Sequence, residues 1–216
     1  MILKTTMNTT QTPDNQTEWR IDFAALPGPE RSKLAYAHDV VQPAATKDLA
    51  AVVYSAIELR MGSYGGYFAL FEGPPEAPRV LWCPHLLPCD GGLNSLQWLD
   101  GDRYVVANGY MYDGKKYLAY PFLFVDVEQQ QVAYFQMMNS YIAVIESTAA
   151  GWIIREREKD TRFPSRDGER IDPQALYWLP WSQIDELKAH YWEEVKGPEK
   201  PGWFRRLLDT IFGNRD

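Results

Sequence analysis

Histidine and cysteine are scarce in this chain, three and two among 216 residues. A histidine general base has three candidate positions, His38, His85 and His190, and no spacing among them supports one. His38 and Asp39 are neighbours in a strand-like pattern, where adjacent side chains point to opposite faces, so they do not form a catalytic pair. Cys83, His85, Cys89 and Asp90 lie close together in "CPHLLPCD" (83–90), but a structural zinc site wants four ligands in closely spaced pairs, and no second pair exists. No metal and no cofactor is expected. The stretch reads instead as a strand ending on a small buried thiol, followed by a proline-shaped loop.

Other signatures are missing too. There is no G-x-S-x-G elbow, and the serine of "GSYGG" (62–66) sits in the wrong place for one. Neither phosphate-binding glycine pattern occurs. No apolar run approaches the roughly 20 residues that span a bilayer, so no transmembrane segment is expected. The start "MILKTTMNTTQTPDNQTEW" lacks the basic residues and the apolar run of about 7–15 residues that mark a secretory leader. The expected compartment is therefore cytoplasmic, with Cys83 and Cys89 as reduced thiols; in an exported protein the two could close a small disulfide loop. Basic charge is in deficit: the net charge is −7 and the sequence pI about 5.1. An acidic body repels phosphate backbones, which argues against nucleic acid and favours a basic protein partner.

What the chain has is rings and β-formers. Aromatics make up 14% of it, with eight Trp and thirteen Tyr, and such residues favour pleated, half-buried surfaces. Residues 1–18, rich in Thr, Gln and Asn, read as a disordered tail. The span 19–181 reads as one antiparallel β domain and 182–216 as a helical appendage. Within the β domain three sets of segments recur. After a first strand at "LAYAHDVV" (34–41), the first set is "AAVVYSAIEL" (50–59), "YFALFE" (67–72) and "RVLWC" (79–83). The second is "LQWL" (96–99), "RYVVANGYMY" (103–112), "KYLAYPFLFVDV" (116–127) and "QVAYFQ" (131–136). The third is "YIAVIES" (141–147), "WIIRERE" (152–158) and "ALYWLPW" (175–181). Asp100-Gly101 and Asp113-Gly114 between such runs are hairpin signals.

The pattern "WLDGDRYVVA…FLFVDVEQQQVAYF" resembles a blade of the β-propeller proteins, and equivalent points recur about every 40 to 55 residues, within the range of propeller blades. Three units fall short of a closed ring of four to eight. The expected fold is therefore mainly β: an open twisted antiparallel meander or a two-sheet sandwich of about three blade-like units, with two C-terminal helices. Ser182 and Asp185 suit a helix start, and Ile184, Leu187, Tyr191 and Val195 share a face. Trp203, Phe204, Leu207, Leu208, Ile211 and Phe212 form a second apolar stripe, and the helix at 203–212 must be covered by its own sheet, a partner or a membrane surface.

The favoured function is a non-enzymatic protein-binding module, in its narrower form an inhibitor that neutralises a partner protein. The chain is similar in style to the immunity proteins that neutralise bacterial toxins, being small, acidic and without catalytic motifs. Two alternatives stand beside it. A carboxylate-dependent hydrolase would draw on Asp100, Asp102, Asp113 or Asp126, although Asp-Gly turns explain Asp100 and Asp113 without chemistry. A carbohydrate-binding module would stack sugars on Trp98, Trp152, Trp178 or Trp181. The expected binding residues are Arg162, Phe163, Arg166 and Asp167, in the long polar loop "KDTRFPSRDGERIDP" (159–173), together with Trp98, Trp178 and Trp181.

Overall fold

The computed structural model describes residues 18–27, 38–60, 63–84, 88–90, 96–108, 111–112, 117–119, 122–135, 143–156 and 165–186. Residues 1–17, Arg162, Phe163 and the stretch 203–212, expected as a tail, binding residues and a helix, lie outside them. The chain is mainly β, in three larger antiparallel sheets and one two-stranded ribbon, and nothing among the described residues closes the sheets into a ring.

The first sheet contains β1 (His38–Pro43), β2 (Leu49–Arg60), β3 (Ser63–Glu72) and β4 (Arg79–Trp82) in sequence order, and β5 (Pro88–Asp90) also pairs with β3. The second unit contributes β6 (Leu96–Leu99), β7 (Tyr104–Asn108), β8 (Met111–Tyr112), β9 (Tyr117–Ala119), β10 (Phe122–Asp126) and β11 (Gln131–Phe135). Here the long strand expected over 116–127 is divided. β8 and β9 form a ribbon of their own, and β6, β7, β10 and β11 build the middle sheet. The third sheet is β12 (Ala143–Thr148), β13 (Gly151–Glu156) and β14 (Arg170–Ile171).

The closing strand expected over 175–181 belongs elsewhere. Its β15 (Leu179–Pro180) crosses back to pair with Val132 and Gln131 of β11, so it edges the middle sheet. Pro180 has no N–H to donate, which confines it to an edge. The crossing also lets Trp181 stack on Trp82 with ring centroids 4.8 Å apart. The two predicted C-terminal helices are not seen among the described residues: a 3-10 turn at Trp181–Gln183 leads into helical residues 184–186, where the description ends.

Strict alternation on the strands assembles the layers. In the middle sheet Leu96, Val105, Ala107, Leu123, Val125 and Val132 pack against Ala51, Val53, Phe68 and Leu70 of the first sheet. The intervening residues Leu99, Val106, Phe122 and Phe124 pack against Ile145, Trp152, Ile154 and Ile171 of the third. β10 is consequently buried from end to end. Burial of this kind contributes roughly 25 cal/mol per Å² of apolar surface removed from water. The outer face of the first sheet is also buried: Ala50, Val52, Tyr54, Ala69 and Phe71 are covered by Trp19, Ile21, Phe23 and Leu26 from an N-terminal strap. No helix of the described residues is long and apolar enough to cross a membrane.

β6 joins the layers through polar groups as well. The Trp98 indole N–H donates to the carbonyl of Gln42 on β1 at 2.8 Å. Its neighbour Gln97, pointing the other way, accepts from the Ile145 N–H on β12 at 2.9 Å and donates to the Ile145 carbonyl. One carboxamide thus meets both backbone groups of a residue on the next sheet.

β2 carries a bulge. Its pairing with β3 shifts register between Tyr54 and Ile57, and Ser55 takes φ 53° with its N–H bonded to the Asp39 carboxylate at 2.9 Å. Gly66 lies against this irregularity. A Cβ there would stand 2.6 Å from Val53 Cγ1 and 2.9 Å from the Tyr54 carbonyl oxygen, and the backbone oxygen has no rotamer by which to move aside. Gly66→Ala is expected to destabilise the fold by about 1–3 kcal/mol, as over-packing does, read as a lower denaturant midpoint at unchanged slope.

Candidate functional site

The turn between β6 and β7, "LDGDR" (99–103), gathers charged and polar contacts to the third sheet, to the β1–β2 loop and to β10. Asp100, Gly101 and Asp102 all take left-handed backbone conformations, with φ 50°, 63° and 64°. That geometry is open to glycine and tolerated by Asp, whose short side chain bonds locally. It sends successive side chains in different directions.

Asp100 reaches the third sheet, accepting from the buried Trp152 indole N–H at 2.9 Å and from the Ser147 hydroxyl. Asp102 is 4% exposed and reaches the loop between β1 and β2, accepting from the Thr46 backbone N–H and from its hydroxyl at 2.7 Å. Burial by itself would raise the proton affinity of Asp102, but the Thr46 hydroxyl, the backbone N–H groups of Ala45 and Thr46 and the Lys47 charge together hold it below the ordinary carboxylate value. Arg103 turns to the middle sheet and holds Asp126, 3% exposed, through Nη2 at 2.7 Å and Nε at 3.1 Å. The same carboxylate accepts from the Glu128 and Gln129 N–H groups, both at 3.0 Å, and its hydrogen bond raises the pKa of Arg103. Tyr104, beneath Arg103 at 4.7 Å, is raised by burial and then by Asp126. At the rim Lys47 pairs with Glu128 at 2.9 Å. That pair is half in water and contributes little.

Of the four carboxylates considered for acid–base work, Asp100, Asp102 and Asp126 are thus brought to one end of the stack, and each is taken up by donors of the fold. Asp113 lies outside the described residues. Thr46, Gln97 and Arg103 complete the arrangement. Sequence reading missed them because their partners are 23 to 56 residues away.

The expected binding loop is described from residue 165 onward. The Glu156 carboxylate accepts from the Ser165 hydroxyl at 2.7 Å and the Arg166 N–H at 2.8 Å, while the Asp167 carboxylate accepts from the Glu156 N–H at 3.2 Å. Arg166 pairs with Glu169 and lies over the Phe135 ring at 4.8 Å. Arg166 and Asp167 therefore fasten the loop to β13 and β11.

The four candidate tryptophans, Trp98, Trp152, Trp178 and Trp181, lie apart on different elements, buried or half-buried. Trp181, 9% exposed, donates to the Gln131 carbonyl at 3.1 Å. Trp178 is half-buried and donates to the Pro173 carbonyl at 2.7 Å. Trp98 is half-buried against the first sheet. Trp152, 1% exposed, stacks on Phe124 at 4.8 Å. Cys83 packs into the outer face of the first sheet, its Sγ 3.3 Å from the Tyr54 hydroxyl. Burial, followed by this contact, raises the Tyr54 pKa, so the phenol stays protonated and donates to the Pro27 carbonyl at 2.7 Å. His85 and the side chains of Cys89 and Asp90 fall outside the description. No family model, curated protein or solved structure matches the chain.

Two outcomes are expected of the turn. A carboxyl whose folded pKa is depressed stabilises the fold above the unfolded pKa, and that contribution is lost as pH falls through the folded value. Below about pH 5, Asp102→Asn should therefore show a shallower loss of stability with acid than the parent, measured as denaturant midpoint against pH. Asp100→Ala should cost about 1–3 kcal/mol by leaving the Trp152 N–H buried without its acceptor. Asp100→Asn keeps an oxygen there and should cost clearly less, with the near-UV dichroism of Trp152 retained.

Proposed function

We propose that the chain is a non-enzymatic protein-binding module that engages a basic partner protein. The observation that carries this reading is the division of its acidic side chains. The buried carboxylates, Asp102 and Asp126, are consumed in bracing the turns. Others, including Asp22, Asp48, Glu76 and Asp172, stand at the surface of a chain with net charge −7. A net excess of acidic groups steers an oppositely charged partner.

The alternatives find less support. A carboxylate-dependent hydrolase needs two carboxyls facing a common substrate with proton affinities pushed apart. Here Asp100 turns to Trp152 of the third sheet, Asp102 to Thr46 in the loop between β1 and β2, and Asp126 to Arg103, so no two face a common space. A sugar platform needs open indole faces, whereas Trp152 and Trp181 spend theirs on Phe124 and Trp82. In its narrower form the partner is a toxin-like protein whose working surface is basic, occluded in the manner of an immunity protein.

The test is isolation of complexes from native lysate at low ionic strength, identification of the partner, and reconstitution from the two purified proteins. A basic partner whose association rate falls steeply with added salt is the expected result. A partner bound with no salt dependence, or turnover of a small substrate by the purified chain, overturns the reading.

A further inference from the structure

Resting on the protein-binding reading, we propose that the outer face of the first sheet is a peptide-docking surface held in cis by the chain's own strap. Its partner ligand is an extended peptide with aromatic, aliphatic and aromatic side chains at alternate positions.

The three apolar layers of the molecule are covered in two different ways. Between the first and middle sheets, and between the middle and third, each side is a hydrogen-bonded sheet. Uncovering either layer means dismantling strands. The outer face of the first sheet is covered, among the described residues, by one short segment that belongs to no sheet. Its floor is made of small side chains, Ala50, Val52 and Ala69, all 0% exposed, bordered by Tyr54 and Phe71. A floor of that kind admits large side chains from above.

The strap lies on it as an extended peptide lies on a receptor. Trp19, Ile21 and Phe23 pack inward, whereas Glu18, Arg20 and Asp22 are exposed, an alternation that runs up to the turn at Phe23 and includes a tight turn in which the Ile21 N–H donates to the Trp19 carbonyl at 3.1 Å. Leu26 packs down after a 3-10 turn at Phe23–Ala25, which Asp22 caps at 3.1 Å. Two hydrogen bonds described between strap and body fix it. The Arg20 N–H donates to the Pro75 carbonyl at 2.8 Å, and the Tyr54 hydroxyl donates to the Pro27 carbonyl at 2.7 Å. Both body groups can serve any peptide backbone in the same path, because neither reads a side chain. The Ile21, Ala25 and Leu26 N–H groups bond within the strap itself, to the Trp19, Asp22 and Phe23 carbonyls.

A tethered segment faces its site at an effective concentration of order millimolar. A peptide of equal intrinsic affinity is therefore held off until the strap is weakened or outcompeted, and its apparent affinity scales with the fraction of open face. This makes the strap a built-in competitor that sets how good a partner must be.

The experiment uses the full chain and a fluorescently labelled synthetic peptide of residues 15–27 as probe. Trp19→Ala combined with Phe23→Ala should bind the peptide at least about tenfold more tightly than the parent. A peptide of the same composition with the alternation scrambled should not bind. Absence of peptide binding by a variant that keeps its near-UV dichroism overturns the proposal. So does exchange of straps between copies, read as energy transfer in mixed labelled samples, since the occupant is then a second copy of the chain. A second measurement holds if the double variant does not fold. In the parent chain the Arg20 amide should exchange with solvent at least about tenfold faster than the amides of Val52 and Val53, as a locally opening segment does. Equal rates make the strap an integral layer and end the proposal. Failure here leaves a salt-dependent protein complex standing, whereas failure of that complex leaves peptide binding to be read independently.

Discussion

Three consecutive left-handed residues at 100–102 aim two carboxylates at two different sheets, and the guanidinium of Arg103 follows toward a third element. Asp100 holds Trp152 and Ser147, Asp102 holds Thr46, and Arg103 holds Asp126. Left-handed backbone costs about 1–2 kcal/mol for a residue with a Cβ, while a hydrogen bond to a charged group contributes about 1.5–3 kcal/mol. With at least two such bonds on each of Asp100, Asp102 and Asp126, the bonds outweigh the strain, and the turn holds its shape for as long as they are made. Three stacked sheets could slide over one another on apolar contacts alone, because those contacts are non-directional. The turn removes that freedom at one end of the stack.

The rest of the architecture follows from where that end is fixed. Once β6 is placed, its alternate residues sort themselves between two neighbours: Leu96 and Trp98 toward the first sheet, Gln97 and Leu99 toward the third. β10, in the interior of the same sheet, must then be apolar on both faces, and "FLFVD" is, up to the aspartate that meets Arg103. The aromatic content finds its use here. Stacked and edge-on pairs such as Phe124–Trp152 and Tyr104–Trp152, with centroids 4.8 and 4.9 Å apart, fill the space between layers with few, large, rigid side chains.

Much of this was legible in the chain. Asp-Gly between β-branched runs marked the β6–β7 hairpin, and the repetition of strand sets foreshadowed a mainly antiparallel β fold, although β8–β9 and β15 depart from the expected sets. What could not be read was how the units bond to one another. The β15 crossing depends on Trp82 being available to Trp181 about a hundred residues later, and no local pattern carries that. The bracing role of Asp102 was hidden for the same reason: it stood among the candidate carboxylates because its partner, Thr46, is distant in sequence. The strap was legible and overlooked, since "WRIDF" alternates as cleanly as any strand, but it adjoins a polar tail and pairs with no sheet.

The carboxamide of Gln97 has a further consequence for β12. Outer strands with bare N–H and C=O groups invite addition of another chain, the route by which β-rich proteins polymerise into fibres. A side chain that satisfies both backbone groups of Ile145 acts as a one-residue counterfeit strand. It closes that margin to a stranger's backbone while adding no residue that could itself be extended.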